Sequence, residues 1–431
     1  MVFKRYTIIV LVIVCVVPVL RWFFLEPVSL RFANLNATTT SLGQITGLLG
    51  MTLFAVNLIL SNRSVFFDKI FSGLHRFYNI HRWIGALSFS LLLFHPLFLV
   101  FKYIWVSLRS AALFLLPVGS TALNAGIISL ALMIILLVFT LFLKIKYNIW
   151  RISHKIMIVV FIFAMVHVFL IPSDISRDIF IRYYVLILSI LGLVSGVYYS
   201  FFRIYFNRDY RYSVGHVNFL SDKIAELELV PTDKRMIFKP GQFVYVRFVD
   251  SGMSSEPHPF SISSPSRNKK IKIAIKSLGD FTNEIDKIEP GNTIILEGPF
   301  GSFFDFRKLD KDEIWIAGGV GITPFLSMAR SLSLSNRKIV LYYCVSDWSE
   351  LVFLDELQKI MLANKNFSVI PWVSKKQGRI SARATMSDSG QLINKDIFIC
   401  GPSNFMQSLI KQFISIGVNK KHIHFEEFNM L

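Results

Sequence analysis

Four histidines lie at the ends of two apolar stretches of nearly equal length. His81 and His95 bound HRWIGALSFSLLLFH, and His154 and His167 bound HKIMIVVFIFAMVH. Neutral imidazole is a good axial ligand of haem iron, and two facing imidazoles fill both axial positions, so such a haem relays electrons. For any single histidine the alternative is a polar residue packed between helices, or a proton relay. Two pairs at matching depth favour haem.

Helical geometry makes the spacing of these pairs informative. At 1.5 Å per residue, His81 and His95 lie about 21 Å apart along a helix, and His154 and His167 about 19.5 Å apart. Two cofactors stacked across a membrane need a similar separation. The first two share a helix face to within about 40°, whereas the second two lie about 140° apart on an ideal helix. A local π-bulge or over-twisted turn would bring the second pair together, or each ring reaches its haem from a different side.

The elements that must carry these histidines are membrane helices. The chain has 431 residues, of which 53% are hydrophobic and 17% charged, and this is too apolar for an ordinary soluble protein. Apolar residues form long runs before about residue 206 and alternate with charge and Gly/Pro turns afterwards. Six runs reach the roughly 20 residues that a bilayer core requires. They are residues 6–24, 42–60, 81–101, 121–143, 153–171 and 179–202.

Basic residues set the orientation of the six predicted helices. Thirteen Lys and Arg residues lie at the first end and in alternate connections, whereas six lie on the opposite side. This places the N-terminus and the soluble half in the cytoplasm of a multi-pass plasma or inner membrane protein. Residues 1–207 carry 17 basic and 4 acidic residues, a net +13 of the total +18. The basic balance therefore reflects topology in a lipid bilayer, and we expect no nucleic-acid partner.

The first part of the soluble half reads as an antiparallel barrel. FKPGQFVYVRF at 238–248 alternates after a Pro-Gly turn, and HPFSISSP, IKIAIKSLGDFT and EGPFGSF follow by residue 303. Each segment has a possible role around a flavin. Phe260 can lie on the ring face, Ser261 can hydrogen-bond the reactive nitrogen region, and the turn from Gly279 to Thr282 can aim backbone N–H groups at a pyrophosphate. The alternative is an ordinary barrel, in which such turns are common.

The last part reads as a parallel α/β domain. EIWIAGGVGITPFLSMA at 313–329 is a strand, a glycine turn and a helix with Pro324 near its first turn. It lacks GxGxxG, but its glycines still allow close backbone approach to a phosphate at a helix N-terminus. DIFICGPSNFMQSLI at 396–410 repeats the pattern, with Cys400, Gly401 and Pro402 at the strand end. An open parallel sheet predicts a ligand at these carboxyl ends.

Together, six spans, paired histidines, HPFS, SLGDFT, GPFG, GGVGITP and CGP resemble the NADPH oxidase and ferric reductase superfamily. The resemblance covers nearly the whole chain from the second span onward. It implies a multi-domain chain, with a six-helix transmembrane bundle followed by an antiparallel β-barrel FAD domain and an α/β nucleotide-binding domain. The expected boundaries are 1–207 for the ferric-reductase-type domain with two haems, 208–308 for the FAD domain and 309–431 for the NAD(P)H domain.

The resemblance also implies roles for individual residues. His81 would pair with His154 on the inner b-type haem, and His95 with His167 on the outer one. Phe428 is similar to the aromatic that covers the flavin until nicotinamide displaces it, and with Cys400 it is a candidate catalytic residue. The FAD-binding set is His258, Pro259, Phe260, Ser261, Ser263, Lys276, Leu278, Gly279, Asp280, Phe281 and Thr282. The nicotinamide-nucleotide set is Gly318, Gly319, Val320, Gly321, Thr323, Pro324, Ser346, Asp347, Cys400, Gly401 and Pro402.

The nicotinamide donor stays open between NADH and NADPH. Related reductases that select NADPH often carry arginine in the segment matching LYYCVSDWSELVF, where this chain has Ser346 and Asp347. An acidic residue suits a free ribose hydroxyl and repels a 2′-phosphate. Lys375, Lys376 and Arg379 nevertheless offer a phosphate clamp.

These features favour transmembrane electron transfer. NAD(P)H in the cytoplasm reduces FAD, and single electrons pass through the inner and outer haems to an external acceptor. O2 giving superoxide is the first choice, with a ferric chelate or a periplasmic or membrane redox partner as alternatives. The sequence contains no EF-hand loop or Pro-rich tail, so we expect no obligatory cytosolic activators. The competing interpretation is a proton or ion pathway with a regulatory nucleotide-binding module.

Overall fold

The computed structural model describes residues 2–71, 73–143, 147–203, 209–254, 256–279, 281–303, 311–332 and 337–426. The chain forms two compact units. The first comprises Met1–Phe71 and Arg76–Asn207, and the second comprises Ser72–His75 and Arg208–Leu431.

The first unit is helical, and among the described residues six helices are long and apolar enough to span a membrane, as predicted. Five of the spans centre on α1 (Val2–Phe23), α3 (Leu35–Ile59), α5 (Leu74–Ile104), α7 (Thr121–Leu141) and α11 (Ile179–Val197), and a π-helical turn, Tyr198–Phe202, extends α11. The fifth span in chain order, Ile149–Leu170, is formed by α8 (Tyr147–Lys155) and α9 (Met157–Leu170) together. The short connecting helices are α2 (Val28–Arg31), α4 (Val65–Phe71), α6 (Leu108–Leu115) and α10 (Asp174–Arg177).

Helix α3 lies at the centre of this unit, because its second half is buried almost continuously. Helix α11 approaches it closely at Gly192, where an added Cβ would lie 2.8 Å from Ala55 O. Small residues allow such backbone contact between apolar helices, which gain little from the hydrophobic effect in lipid.

The first half of the second unit is an antiparallel sheet of six strands, β1 to β6. The strands are Tyr210–Ser221, Ile224–Pro231, Phe243–Phe248, His258–Ser261, Ile271–Lys276 and Thr293–Phe300, in the order β4-β3-β6-β1-β2-β5. A bridge between Ile262 and Ile273 links the two edges, so the sheet curls into a barrel. Its interior is filled by apolar side chains such as Leu227, Val246 and Leu296.

The second half of this unit is a five-stranded parallel sheet in the order β11-β10-β7-β8-β9. Strands β7 to β11 are Glu313–Gly318, Ile339–Val345, Phe367–Val373, Asp396–Cys400 and Ile423–Glu426. Helices α12 to α16 are Thr323–Ala329, Leu354–Ala363, Ser374–Gln377, Ala382–Ser389 and Ser403–Ser415. Alternate residues of β7 enter different apolar clusters, Trp315 on one face and Ile314 on the other. Both faces of the sheet are therefore covered, as the predicted α/β fold requires.

Candidate redox-cofactor sites

Two pairs of histidines face each other in the helical unit. The ring centroids of His81 and His154 are 6.4 Å apart, and those of His95 and His167 are 6.2 Å apart. An iron bound to two imidazole nitrogens at about 2 Å each separates the ring centroids by roughly 6 Å. Both pairs therefore have the separation that a bis-histidine haem requires.

Backbone carbonyls orient three of the four rings. Because a carbonyl oxygen only accepts, each contacting Nδ1 carries the proton and leaves Nε2 free to bind a metal. This is the usual arrangement of a metal-ligating histidine, so the donor set fits haem iron. The contacts are His95 Nδ1 to Gly43 O at 2.7 Å, His167 Nδ1 to Ala122 O at 2.8 Å and His81 Nδ1 to Asn57 O at 3.2 Å.

The fourth ring has a different environment. His154 Nδ1 is buried and has no hydrogen-bond partner within the part of the chain that the structure describes. The indole of Trp150, one turn earlier in α8, stacks on this ring with centroids 5.3 Å apart.

A tightened turn interrupts the fifth span at Ile156, between α8 and α9. Ile156 N donates to Ser153 O at 3.0 Å, and Val159 N donates to Ile156 O at 2.8 Å. Such i→i+3 bonds rotate the chain by about 120° per residue instead of about 100°. The fifth span, Ile149–Leu170, therefore contains a local tightening at Ile156. Of the open alternatives, the structure has an over-twisted turn between His154 and His167.

Two glycines make room for the histidine rings, and neither was singled out from the sequence. A Cβ at Gly47 would lie 2.6 Å from His95 Nδ1, and a Cβ at Gly126 would lie 2.7 Å from His167 Nδ1. Both distances are shorter than real Cβ contacts, so the rings lie directly against helix backbone. The available signal was the four-residue spacing of Gly43 and Gly47, which is typical of closely packed membrane helices.

Strand β4 brings the HPFS segment against the SLGDFT segment. It pairs with β3, and the His258 ring stacks on Phe281 with centroids 3.7 Å apart. Phe260 also packs on the barrel core and Ser261 is buried, while Pro259 lies between His258 and Phe260 in the strand. Two segments expected to bind FAD thus meet at one place on the barrel.

The turn after β5 is stabilised by its own hydrogen bonds. Leu278 N and Gly279 N donate to Thr282 Oγ1 at 2.9 and 3.1 Å. We expected N–H groups of this turn to face a pyrophosphate, but the Gly279 N–H is already engaged. The Leu278 side chain is exposed, and Asp280 lies outside the described residues.

Ser263 and Lys276, also expected at the flavin, take part in contacts that join the barrel to the parallel-sheet domain. Ser263 Oγ donates to Glu226 at 2.9 Å, and Arg330 donates to both Glu226 and Ser263 O at 2.9 Å. Lys276 Nζ donates to Glu350 at 2.6 Å. Burial opposes ionisation of Glu226, but Arg330, Lys272 and Ser263 together outweigh it and lower the pKa of this carboxyl.

Two turns that contain glycine, one after β7 (residues 318–321) and one after β10 (residues 400–402), lie at the carboxyl edge of the parallel sheet. The strand order reverses there, between β7 and β10. Open α/β sheets bind ligands at such a switch point. A Cβ at Gly321 would lie 2.7 Å from Cys400 C and 2.8 Å from Gly401 N, and a Cβ at Gly401 would lie 3.1 Å from Gly318 Cα. The two turns thus pack backbone against backbone. Gly319 has a φ of +57°, which glycine adopts at little cost.

The helices after these turns start at the expected residues. Thr323 Oγ1 donates to Val320 O at 3.0 Å at the start of α12, and Pro324 follows within the first turn. Pro402 occupies the N-cap position of α16, directly after β10.

Ser346 and Asp347 follow β8 at the same edge of the sheet. Asp347 Oδ2 lies 3.0 Å from Lys375 Nζ, and Lys376 Nζ lies 5.4 Å from the centroid of the exposed Trp348 ring. The hydrogen bond from Lys375, with a backbone N–H, lowers the pKa of Asp347 to about 2. One acidic and two basic side chains therefore lie together where β8 ends.

The Cys400 thiol is unsuited to a nucleophilic role. It is 1% exposed, and burial raises its pKa, so the thiol stays protonated. Cys400 meets the glycine turn through its backbone. Phe428, the other candidate catalytic residue, lies outside the described residues.

Three family models match the chain in consecutive segments. A ferric reductase like transmembrane component matches residues 46–165, an FAD-binding domain matches 210–303 and an oxidoreductase NAD-binding domain matches 315–411. The order of these matches is the ferric-reductase and NADPH-oxidase-type architecture. The chain thus combines a ferric reductase like transmembrane component with FAD- and NAD-binding domains.

Relatives with established names share part of this architecture. The ferredoxin reductase component of 3-ketosteroid-9-alpha-monooxygenase from Rhodococcus rhodochrous is 29% identical over 47% of this chain and 60% of its own length. A flavohemoprotein from Vibrio cholerae is 24% identical over 48% of this chain and 55% of its own length. The chain thus matches little more than half of each relative. Among solved structures, the FAD/NAD-binding domain of nitric oxide dioxygenase from Vibrio cholerae is 23% identical, covers 51% of this chain and 98% of its own, and has a TM-score of 0.43.

Proposed function

We propose that this protein transfers electrons from cytoplasmic NADH or NADPH, through FAD and two bis-histidine b-type haems, to an acceptor across the membrane. The observation that carries the proposal is the two facing histidine pairs in a chain with FAD- and NAD-binding domains. The excess of basic residues, thirteen against six, supports a cytoplasmic N-terminus and cytoplasmic reductase domains.

The carboxyl edge of the parallel sheet would bind the dinucleotide. Gly319 and Gly321 keep side chains away from this edge, so that backbone N–H groups can approach phosphates closely. Asp347 disfavours a 2′-phosphate at the end of β8, whereas Lys375 and Lys376 favour one. Both donors therefore belong in the test.

The HPFS strand and the SLGDFT turn would hold FAD, with Phe260 and Ser261 facing the flavin ring. The stacking of His258 on Phe281 fixes these two segments relative to each other. When bound, FAD would accept a hydride and release electrons one at a time, and each haem would carry one electron.

The histidines would hold each haem iron from both sides. His81 would act with His154, and His95 with His167. Because two protein ligands would then hold each iron, these residues would keep an acceptor from binding to it, and the haem would supply electron relay rather than acceptor binding.

O2 is the proposed acceptor, with superoxide as product. One NAD(P)H supplies two electrons, so it reduces two O2 molecules to two superoxide ions and releases one proton with NAD(P)+. A ferric chelate is the second candidate, because the membrane segment matches a ferric reductase component. A membrane or periplasmic redox partner is the third.

Anaerobic visible spectroscopy of the purified, FAD-supplemented protein tests the proposal. NADH or NADPH should reduce two b-type haems per chain, and air should reoxidise them rapidly with superoxide formed. Slow reoxidation by air with fast reoxidation by ferric citrate would identify a metal reductase. Reoxidation only after a membrane extract is added would identify a partner protein or quinone.

Histidine variants provide the control. His81→Ala and His167→Ala should each lose haem, whereas His216→Ala, in β1 of the barrel, should keep the full spectrum. A wild-type protein without a haem spectrum would refute the proposed function.

A further inference from the structure

The two histidine pairs differ in the partners of their Nδ1 atoms. In the His95–His167 pair both Nδ1 atoms lie close to a backbone carbonyl, at 2.7 and 2.8 Å. In the His81–His154 pair, His81 has one longer contact of 3.2 Å, and His154 Nδ1 has no partner among the described residues. This last atom is also buried.

The surroundings of the rings reinforce this difference. Gly47 and Gly126 lie against the Nδ1 sides of His95 and His167, and their backbones confine these two rings. The His154 ring is instead covered by the indole of Trp150, which stacks at an interplanar angle of 19°. Confined rings keep their short hydrogen bonds.

A hydrogen bond from Nδ1–H to a carbonyl makes the imidazole a more basic ligand. A more basic ligand stabilises ferric iron more than ferrous iron, and hydrogen bonding around a haem ligand therefore changes its midpoint potential. Two short bonds act on one pair, whereas a single long bond acts on the other. Both differences change the potential in the same direction.

We infer that the His81–His154 pair holds its haem at a higher midpoint potential than the His95–His167 pair. This rests on the proposed function, since it requires haem at both pairs. We expect at least a tenfold preference of an electron for the first haem, which is 59 mV for a one-electron couple. In the proposed orientation His81 and His154 lie on the cytoplasmic side. An electron would then reside mainly on the haem at this pair until an acceptor oxidises the haem at His95 and His167.

Anaerobic spectroelectrochemistry of the full-length, haem-loaded protein tests the inference. The wild type should show two reduction steps. His95→Ala should retain the higher-potential step, and His81→Ala should retain the lower. The opposite order, or two equal potentials, would overturn the inference and leave the proposed function standing. Absence of haem would overturn both.

A second pair of variants perturbs the hydrogen bond without removing a ligand. A Cβ at Gly47 would lie 2.6 Å from His95 Nδ1, whereas a Cβ at Gly50, on the same helix, would lie 2.8 Å from Leu92 Cδ2. Gly47→Ala should displace His95 from Gly43 O and raise only the lower potential. Gly50→Ala creates a comparable overlap with a leucine and should change neither. Equal shifts in both variants, or a shift of the higher potential alone in Gly47→Ala, would contradict the inference.

Discussion

Replacement of Gly321 by alanine should separate the two turns at which we place the nicotinamide nucleotide. The new Cβ would lie 2.7 Å from Cys400 C and 2.8 Å from Gly401 N, whereas ordinary contacts begin at 3.4 Å. The shortfall at Cys400 C is 3.4 less 2.7, or 0.7 Å, and Cys400 O lies closer still, so the total overlap is larger. Because the opposing atoms are backbone, a rotamer change cannot relieve the overlap. The turn from Cys400 to Pro402 must therefore move relative to the glycine turn.

A displacement of this size should act on catalysis more than on folding. Misplacement by about 1 Å costs roughly 100-fold in rate when reacting groups must be aligned, whereas overpacking costs about 1–3 kcal/mol of stability. Anaerobic stopped-flow bleaching of the flavin by NADH or NADPH should therefore slow by about 100-fold. Haem content, measured after dithionite reduction, should match the wild type.

The matched control is Gly215→Ala in β1. Its Cβ would lie 2.7 Å from Val230 Cγ2, a side-chain methyl that can rotate away. We expect a flavin-reduction rate near that of the wild type. A wild-type rate in Gly321→Ala would refute nucleotide binding between these turns, and equal losses in both variants would indicate general destabilisation.

Three other changes test separate parts of the structure. Gly126→Ala should raise the lower haem potential, as Gly47→Ala should, because its Cβ would lie 2.7 Å from His167 Nδ1 and displace that atom from Ala122 O. Arg330→Ala should lower the temperature of flavin release, since loss of one partner of a buried ion pair costs about 3–5 kcal/mol. Because the pKa of Glu226 is lowered by folding, its ion pair stabilises the protein fully above the ordinary glutamate pKa. This stabilisation is lost as the pH falls through the pKa of the folded state, so flavin release should become easier below about pH 4.3. Lys375→Ala should raise the KM for NADPH more than for NADH, because the carboxylate that it neutralises then repels a 2′-phosphate; equal changes would place the ribose elsewhere.

The six spans were predictable because a bilayer imposes a length and a composition on each helix. The α/β half was predictable because strand, glycine turn and helix follow one another twice in sequence. Histidine type and spacing were enough to select His81, His95, His154 and His167 as residues that could meet in pairs. Spacing alone could not give the rotation of His154 relative to His167 around the fifth span. That rotation depends on the i→i+3 bonds of the tightened turn at Ile156, which the apolar sequence there does not indicate.

Other features were hidden because they depend on contacts between distant segments. Arg330, Glu226 and Ser263 are far apart in sequence, yet they form one buried network between two domains. Similarly, Thr282 accepts from N–H groups that looked free in a glycine turn. A motif indicates which polar groups are present, but only the fold shows which of them the protein has already used.

Backbone atoms do much of the positioning in both units. Carbonyls orient three of the histidine rings, and glycines at 47 and 126 let helix backbone lie against two of them. At the edge of the parallel sheet, Gly321 lies against the backbone of Cys400. Since a backbone group cannot be removed by mutation, an added methyl is the informative perturbation at all these places. If the proposals are correct, glycine-to-alanine changes should alter spectra, potentials or hydride transfer as strongly as removal of many of the side chains that the motifs name.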